Sequence, residues 1–514
     1  MTIKIIMMMS VSILLSSGSF FLDNYLTEKL QKNHYSEDEL TYALNLQLDA
    51  AYQIKLAQHA FGTDLWLKYA KKIAKSDGEI SKKLAEHYFH QGQIDTSILW
   101  YRQAIKFLDS SAILPLAKLY FRSDQLELAR KILASDKSQL LANLPLAIEV
   151  AIAQGDLIFI AKNLHRLSAS KIGKTLLTKI KQYQILSGIN ETHNEQRYIS
   201  NELQSATLIP IQKKSCRIRL QLFATTLDDL YKLSQFKKQF SQHPLNEYIC
   251  LNEPRYLQFD QLNCDNDKTN AIKCDEDVWQ MLTKNFESRY IGLLYPDGGA
   301  NVHSGIMYFD RNDTFDIFSH EITHLLGFVD EYPLVEEHPK CQQIQTTKFA
   351  HNIVVLPKIH YGEKTNVRRE ILKNIPWAKQ IKYSTPILTR ILTSTNEPNN
   401  PIANKYKWLI GTPQKYEGEF GVFNADTCNS SDFQSFKPIG VMTQLEYSEI
   451  QFPKQYVELL ESNRHKYLMP SFHYNVALSL LLKGDLKQGR AWLLKSASLE
   501  NNNGRKTKIL QAEF

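Results

Sequence analysis

The chain has 514 residues, and 43% of them are hydrophobic, which is enough for several ordinary globular cores. Its 61 basic and 54 acidic residues give a formal net charge of +7 without a dense basic block. These values exclude an intrinsically disordered chain and give no support to nucleic-acid binding, so no nucleic-acid partner is expected.

The N-terminal segment, residues 1–22, reads MTIKIIMMMSVSILLSSGSFFL, with one lysine ahead of an apolar run. This pattern is typical of a signal peptide, so we expect a protein that is exported to a periplasm or secreted. Small residues near Gly18 and Ser19 suit cleavage, whereas an uncleaved run from Ile5 to Leu22 would anchor the protein in a membrane. A buried N-terminal core helix is the alternative to both.

Residues 23–206 have apolar residues at helical spacing, separated by short breaks. The segments LAEHYFHQGQIDTSILWYRQAI, LAKLYFRSDQLELARKIL and AIEVAIAQGDLIFIAKNL align with a period of about 32 residues, the size of a helix-turn-helix repeat. The segment NVALSLLLKGDLKQGRAWLLKSASL, within residues 453–514, fits the same alignment. Two positions of the aligned repeats, called columns here, have distinct expected roles. Residues of the first column would let two helices pack closely: Ala85, Ala117, Ile148 and Ala477. Residues of the second column would form the turn between the helices: Gly92, Asp124, Gly155 and Gly484.

These units resemble tetratricopeptide or Sel1-type repeats. The resemblance implies an α-helical solenoid over residues 23–206 and a C-terminal pair of repeat helices over residues 453–514. Such a surface would bind a protein partner or a substrate. An unrelated helical bundle would show the same spacing of alanine and leucine, so it remains an alternative.

Residues 207–452 differ in character, because Pro and Gly are more frequent and strand-like runs such as YIGLLYP and VHSGIMYF occur. The consecutive segments CRIRLQLFAT, TLDDLYKLSQFKKQF and NEYICL predict a strand, a helix and a second strand. We therefore expect a multidomain protein in which an α/β (α+β) domain stands between helical regions.

The stretch RNDTFDIFSHEITHLLGFVDEYP carries a metal-binding pattern. His320 and His324 are four residues apart, so on a helix both imidazoles face one side, with Glu321 beside them. Gly327 can end this helix in a left-handed conformation, which lets the chain turn back and brings Asp330 towards the same ion. The pattern predicts one catalytic Zn²⁺ ion with a fourth position open for water, and a chance string on a solvated helix face is the alternative.

The sequence also supports the helix that would carry the two histidines. Asp313 or Thr314 can cap its start, and Gly327 can end it. Four apolar residues at helical spacing would form its buried face: Phe315, Phe318, Ile322 and Leu325.

The extended motif HEITHLLGFVDEY resembles the active-site signature of metzincin-like zinc metallopeptidases, in particular the IgA-peptidase-type family. The segments IPWAKQIKYSTPILT and YEGEFGVFNADTCNS are similar to those that follow the zinc helix in that family, so the resemblance extends over about residues 298–450. It implies that Asp330, and not Glu331, is the third ligand, in place of the third histidine of most metzincins. VMTQLEY is similar to the Met-turn, which implies that Met442 lies beneath the metal.

The resemblance leaves open which residue stabilises the oxyanion. Gln444 stands two residues after Met442, where some metzincins have a tyrosine. Tyr332 and Tyr447 are therefore the candidates for this role.

All six cysteines lie in the middle region, which favours disulfides formed in an oxidising compartment. A bond between Cys341 and Cys428 would tie the loop of the third ligand to the segment that approaches the Met-turn, whereas Cys341 could instead pair upstream or stay free. The expected pairs are Cys341–Cys428, Cys216–Cys250 and Cys264–Cys274.

These features predict an exported zinc-dependent endopeptidase that hydrolyses peptide bonds with a zinc-activated water and with Glu321 as general base. The peptide or protein substrate would lie along the strand in GGANVHSGIMYF, where similar metzincins pair an extended substrate with an edge strand. An ordinary interior strand is the alternative for that segment.

Two other functions remain open. One is a helical-repeat binding or scaffold protein with a degenerate or structural zinc domain, and the other is a zinc hydrolase that acts on a non-peptide bond. The presence of Glu321 favours the peptidase, because a structural zinc site does not need a general base.

Overall fold

The computed structural model describes residues 21–135, 140–187, 218–265, 270–283, 287–334, 348–391, 407–429 and 433–513. The chain forms two compact units, one that extends to Leu177 and one that begins at Thr178. Helices make up the first unit, and helices with mixed β-sheets make up the second. The protein thus combines an α-helical part with an α/β part, as the sequence predicts.

The first unit contains a succession of short helices, and neighbouring helices pack in pairs, α3 with α4, α5 with α6, α7 with α8 and α9 with α10. Their bounds are α1 (21–31), α2 (Glu37–Asn45), α3 (Asp49–Ala57), α4 (Asp64–Ile73), α5 (Gly78–His90), α6 (Ile94–Lys106), α7 (Ile113–Arg122), α8 (Leu126–Ala134), α9 (Leu140–Gln154) and α10 (Leu157–Leu167). The next helix, α11 (Lys171–Gln182), includes the residue at which the second unit begins. Within the described ranges, no helix is both long and apolar enough to cross a membrane. The predicted signal peptide or anchor lies almost wholly in residues 1–20, outside those ranges.

The turn positions of the repeat alignment lie between paired helices and have left-handed backbones. The φ angles are 72°, 56°, 76° and 85° at Gly92, Asp124, Gly155 and Gly484. The residues of the other column are completely buried at 0% exposure: Ala85, Ala117, Ile148 and Ala477. The left-handed turns and the burial agree with the roles predicted for the two columns.

The second unit is built around a mixed sheet with the strand order β2-β1-β4-β6-β5, to which β3 adds by pairing with β1. Its strands are β1 (Arg219–Ala224), β2 (Cys250–Leu251), β3 (Arg255–Tyr256), β4 (Tyr290–Tyr295), β5 (Asn301–His303) and β6 (Ile306–Asp310). All pairings are parallel except that of β5 with β6, so β5 is an antiparallel edge strand. The predicted strand, helix and strand succession is present as β1, helix α12 (Leu227–Phe240) and β2.

Helices cover both faces of this sheet. On one face, Phe309 of β6 contacts Phe318 and Phe236, with ring centroids 5.4 and 6.4 Å apart. These two rings belong to helices α14 (Phe315–Leu325) and α12. The remaining helices of the unit are α13 (Trp279–Leu282), α15 (Lys364–Asn374), α16 (Lys454–Asn463), α17 (Phe472–Leu482), α18 (Leu486–Ser498) and α19 (Asn503–Leu510).

The other face of the sheet is covered by the C-terminal helices α17 and α18, which share one hydrophobic core with it. The buried members of this core include Phe223, Ile291, Leu293 and Tyr308 from the sheet and Phe472, Val476, Trp492 and Leu493 from the helices. The C-terminal helix pair predicted over residues 453–514 thus packs as a layer of the α/β unit.

A buried ion pair between Arg289 and Glu500 fastens these helices to the start of β4, with side-chain exposures of 6% and 3%. Arg289 also donates to the carbonyls of Leu499 at 2.9 Å and Met469 at 3.0 Å. The neighbouring Tyr290 hydroxyl lies 2.9 Å from the Leu325 carbonyl at the end of α14. One cluster therefore joins the sheet, the C-terminal helices and the histidine-bearing helix.

Two small antiparallel sheets lie between α14 and the C-terminal helices in sequence, with the orders β8-β10-β9 and β11-β12-β7. Their strands are β7 (Val354–Pro357), β8 (Ile359–Tyr361), β9 (Leu388–Arg390), β10 (Lys407–Ile410), β11 (Phe423–Asn424) and β12 (Phe433–Lys437). The second of these sheets leads directly into the turn that carries Met442.

One of the three predicted disulfides is confirmed, because Cys264 and Cys274 are bonded. Cys250 and Cys428 are also in disulfides. The predicted pairs Cys216–Cys250 and Cys341–Cys428 each include one cysteine outside the described residues, so both pairings remain predictions.

Candidate metal centre

Helix α14 carries both histidines, and local sequence accounts for its formation. Thr314 is the N-cap, and its hydroxyl accepts a hydrogen bond from the Ile317 N–H at 3.4 Å. Three of the four residues expected on its apolar face are completely buried: Phe318, Ile322 and Leu325. The apolar face of the helix therefore packs against the sheet, and the two histidines lie on a different face of the helix.

Gly327 reverses the chain at the end of α14. Its φ is 96°, and a Cβ there would lie 2.3 Å from the Tyr467 carbonyl oxygen, so only glycine fits. The N–H groups of Gly327 and Phe328 donate to the carbonyls of His324 and Thr323, each at 3.1 Å, which completes a Schellman-type helix end. The left-handed conformation predicted from the sequence is confirmed.

This reversal brings Asp330 to the two histidines. Asp330 Oδ1 lies 3.2 Å from His320 Nε2 and 3.1 Å from His324 Nε2. All three residues are buried, and one ligand atom from each lies within 4.8 Å of the others. In the part of the chain that the structure describes, these residues form the one cluster of His, Cys, Asp or Glu side chains able to hold a metal ion.

Both imidazoles are oriented by backbone carbonyls. His320 Nδ1 lies 2.7 Å from the Gln444 carbonyl oxygen, and His324 Nδ1 lies 3.2 Å from the Phe328 carbonyl oxygen. Because a carbonyl only accepts, Nδ1 of each ring is the donor in these contacts, and Nε2 of each ring faces Asp330 Oδ1. Two imidazoles that bind a divalent metal ion through Nε2 carry their remaining proton on Nδ1 and need this outer support.

The donor set fits a tetrahedral ion. Ligand atoms at about 2.0–2.2 Å from a tetrahedral zinc lie about 3.3 Å from one another. The measured separations of 3.1 and 3.2 Å between Asp330 Oδ1 and the two Nε2 atoms are close to this value. The triad of His320, His324 and Asp330 could therefore bind a metal ion.

Glu321 lies beside the triad. Its Oε2 is 4.0 Å from His324 Nε2, and the residue is 8% exposed. Burial raises the pKa of Glu321 above its ordinary value, while the two neighbouring imidazoles oppose the increase. A carboxylate in this position can accept a proton from a molecule bound next to the ligand atoms.

The two tyrosine candidates differ in their surroundings. Burial together with the nearby Asp330 and Glu321 carboxylates raises the pKa of Tyr332. Tyr447 is 57% exposed, and its N–H donates to the Thr443 carbonyl at 3.1 Å. Of the two tyrosines, Tyr332 is thus the one that lies near the carboxylates of the site.

The expectation that Met442 lies beneath the metal does not agree with the structure. The Met442 side chain is 62% exposed, so it does not pack under the triad. Two residues later, Gln444 is 3% exposed, its carbonyl orients His320, and its side-chain amide donates to the Ser319 hydroxyl at 2.7 Å. The turn thus supports the site through the backbone and side chain of Gln444.

The sequence did not reveal the outer partners of the triad. The carbonyls of Gln444 and Phe328 are backbone atoms, which every residue type carries, so no sequence signal marks them. Asn352 and Glu331 form a buried hydrogen-bonded pair next to Asp330, and their separation in sequence conceals this contact. The one sequence signal for these outer partners was Glu331, an acidic residue directly after the predicted ligand Asp330.

We predict that Gly327→Ala destabilises the second unit by at least about 3 kcal/mol, because a left-handed alanine and a steric overlap with Tyr467 add together. The matched control is Gly484→Ala, where φ is 85° and a Cβ would meet no atom within 4 Å. This control should lose only about 1–2 kcal/mol. Urea unfolding of both variants measures the difference, and equal losses would contradict the role of the Tyr467 contact.

We predict that Asp330→Ala lowers the affinity for Zn²⁺ by more than about 100-fold, because losing a ligand exceeds the effect of losing an outer partner. The control is Asp426→Ala, which removes an exposed carboxylate of the same unit. Competition with a chromogenic chelator measures both affinities. Comparable affinity in wild type and Asp330→Ala would remove Asp330 from the set of ligands.

The amino-acid sequence was also compared with known protein families and with curated proteins. No family model matches the chain. No curated protein matches it either. A functional assignment of this chain therefore depends on the geometry of the triad and its surroundings.

Proposed function

We propose that this protein is a zinc metallopeptidase that hydrolyses peptide bonds in peptides or proteins. The observation that carries the proposal is the convergence of His320, His324 and Asp330, with the Glu321 carboxylate 4.0 Å from His324 Nε2. Three protein ligands leave a coordination position for water or substrate, whereas a structural zinc site usually closes with a fourth protein ligand.

When bound, a zinc ion supplies Lewis acidity, which polarises a substrate carbonyl and lowers the pKa of a water molecule. Glu321 accepts a proton from the attacking water and passes it to the nitrogen of the departing amine, so the C–N bond breaks after a C–O bond has formed. The raised pKa of Glu321 suits a group that must both accept and donate a proton near neutral pH.

Tyr332 is the residue we assign to the developing oxyanion. It lies near the Asp330 and Glu321 carboxylates and is 40% exposed, so a substrate can reach it. A tyrosine hydroxyl is protonated at neutral pH and can donate a hydrogen bond to an oxygen that gains negative charge.

The substrate would pair with strand β5. This strand is the edge of the sheet, and its outer side offers backbone N–H and C=O groups to an added strand. Helix α14, which carries His320 and His324, packs against β5, so a peptide bound at this edge would lie near the histidines. An extended peptide held by backbone hydrogen bonds would be cleaved with modest side-chain selectivity.

Three further features complete the proposal. The motif and the edge strand support the resemblance to metzincin-like peptidases of the IgA-peptidase type. The left-handed turns between paired helices support a solenoid of tetratricopeptide or Sel1-like repeats that binds a substrate or partner protein. The disulfide between Cys264 and Cys274 supports export to an oxidising compartment.

The experiment that tests this function compares wild type with Glu321→Gln. The variant should fold and bind zinc like wild type, while hydrolysis of an unfolded protein falls about 100- to 10,000-fold, because the proton acceptor is lost and the ligands remain. Proteomic identification of new N-termini and metal analysis give the two readouts.

Glu461→Gln is the control, since it makes the same chemical change at an exposed position. Full hydrolysis by Glu321→Gln would reject Glu321 as the base. Zinc binding without hydrolysis in wild type would instead favour a binding protein with a structural metal site.

A further inference from the structure

Glu331, the residue after the third ligand, is a completely buried carboxylate with partners on both oxygens. Oε1 accepts hydrogen bonds from Asn352 Nδ2 at 2.8 Å and from the Tyr456 hydroxyl. Oε2 accepts from the Thr443 hydroxyl at 2.8 Å and lies 3.4 Å from the Lys437 ammonium. Because a buried charge is stable only with such partners, Glu331 is confined to one position.

Glu331 also fixes the turn whose carbonyl orients His320. The Glu331 N–H donates to the Leu445 carbonyl at 2.9 Å, while its Oε2 accepts from the Thr443 hydroxyl. These two partners flank Gln444, whose carbonyl oxygen is 2.7 Å from His320 Nδ1. One residue therefore holds both neighbours of the carbonyl that sets the tautomer and direction of His320.

Asn352 holds the other side of the loop that carries Asp330. Its side-chain oxygen accepts from the Val329 N–H at 3.0 Å, and its amide nitrogen lies 2.8 Å from both the Val329 carbonyl and Glu331 Oε1. Both residues that flank Asp330 are thus fixed by the same amide. Their fixed positions direct the Asp330 carboxylate towards the histidines.

We propose that Glu331 is a positioning residue for the metal site, an inference that rests on the function proposed above. Glu331 aligns two ligands at once: Asp330 through the chain that joins them, and His320 through the Gln444 carbonyl. It contacts neither the ion nor the substrate. Its loss should therefore change metal affinity and metal geometry, and not only the stability of the fold.

Variants of Thr443 separate these two effects. Thr443→Val nearly keeps the side-chain shape but removes the hydroxyl that donates to Glu331 and accepts from the Leu445 N–H at 3.1 Å, whereas Thr443→Ser keeps the hydroxyl. Glu331→Gln removes the charge at the centre of the network. Tyr456→Phe is the matched control, because it removes a donor from the other carboxylate oxygen and leaves both links to the turn intact.

The probes are Zn²⁺ affinity by chelator competition and the absorption spectrum of the Co²⁺-loaded protein. Thr443→Val and Glu331→Gln should each lose about 10- to 100-fold in Zn²⁺ affinity and change the Co²⁺ spectrum. The double variant should lose less than the sum of the two single variants, since both weaken the contact between Glu331 and Thr443. Thr443→Ser and Tyr456→Phe should keep wild-type affinity and spectrum.

Wild-type Zn²⁺ affinity and an unchanged Co²⁺ spectrum in Thr443→Val would overturn the proposal. An equal loss of affinity in Tyr456→Phe would also overturn it, because Glu331 would then act only through the stability of the core. If Glu331→Gln does not fold, the two Thr443 variants decide the question.

A readout without metal distinguishes failure of this inference from failure of the proposed function. If wild type binds no metal, the proposed function is rejected. The positioning role of Glu331 can still be tested, because NMR of histidine-labelled apoprotein detects the Nδ1 proton of His320 that the turn protects. Its signal should persist in wild type and Thr443→Ser and be lost through solvent exchange in Thr443→Val. The same signal in all three proteins would overturn the inference.

Discussion

The site depends on one reversal of the chain. Gly327 takes a left-handed conformation against the Tyr467 carbonyl, and this turn folds the following residues back over the end of helix α14. Without it, the chain would leave the helix along its axis, and Asp330 could not lie 3.1 Å from His324 Nε2. Asp330 meets the side chains of His320, Glu321 and His324 because of this backbone constraint.

Around the reversal, buried polar groups give each ligand one orientation. The Gln444 and Phe328 carbonyls orient the imidazoles, and Asn352 and Glu331 fix the short segment that carries Asp330. The C-terminal helices also hold helix α14 in place. Arg289 forms an ion pair with Glu500 of the C-terminal region, and the neighbouring Tyr290 hydroxyl donates to the Leu325 carbonyl at the end of α14. The helices on both faces of the sheet thus support one centre, although their segments are far apart in sequence.

The sequence predicted what local spacing determines. The helix around HEITH, its cap at Thr314, its end at Gly327 and the turns at Gly92 and Gly155 all depend on neighbours within a few residues. The 62% exposure of Met442 differs from the expectation that it is buried beneath a metal, since a motif gives a residue type without its side-chain direction. The outer partners could not be predicted, since they are backbone carbonyls or, like Asn352 with Glu331, pairs formed only by the complete fold.

We propose that two histidines and one carboxylate hold a zinc ion and leave a coordination position open. X-ray absorption of the Zn²⁺-loaded protein measures the atoms bound to the ion directly. We expect four nitrogen or oxygen neighbours at about 2.0–2.2 Å, with the multiple scattering of two imidazoles. A sulfur neighbour at about 2.3 Å, or a shell with the scattering of three or more imidazoles, would contradict it.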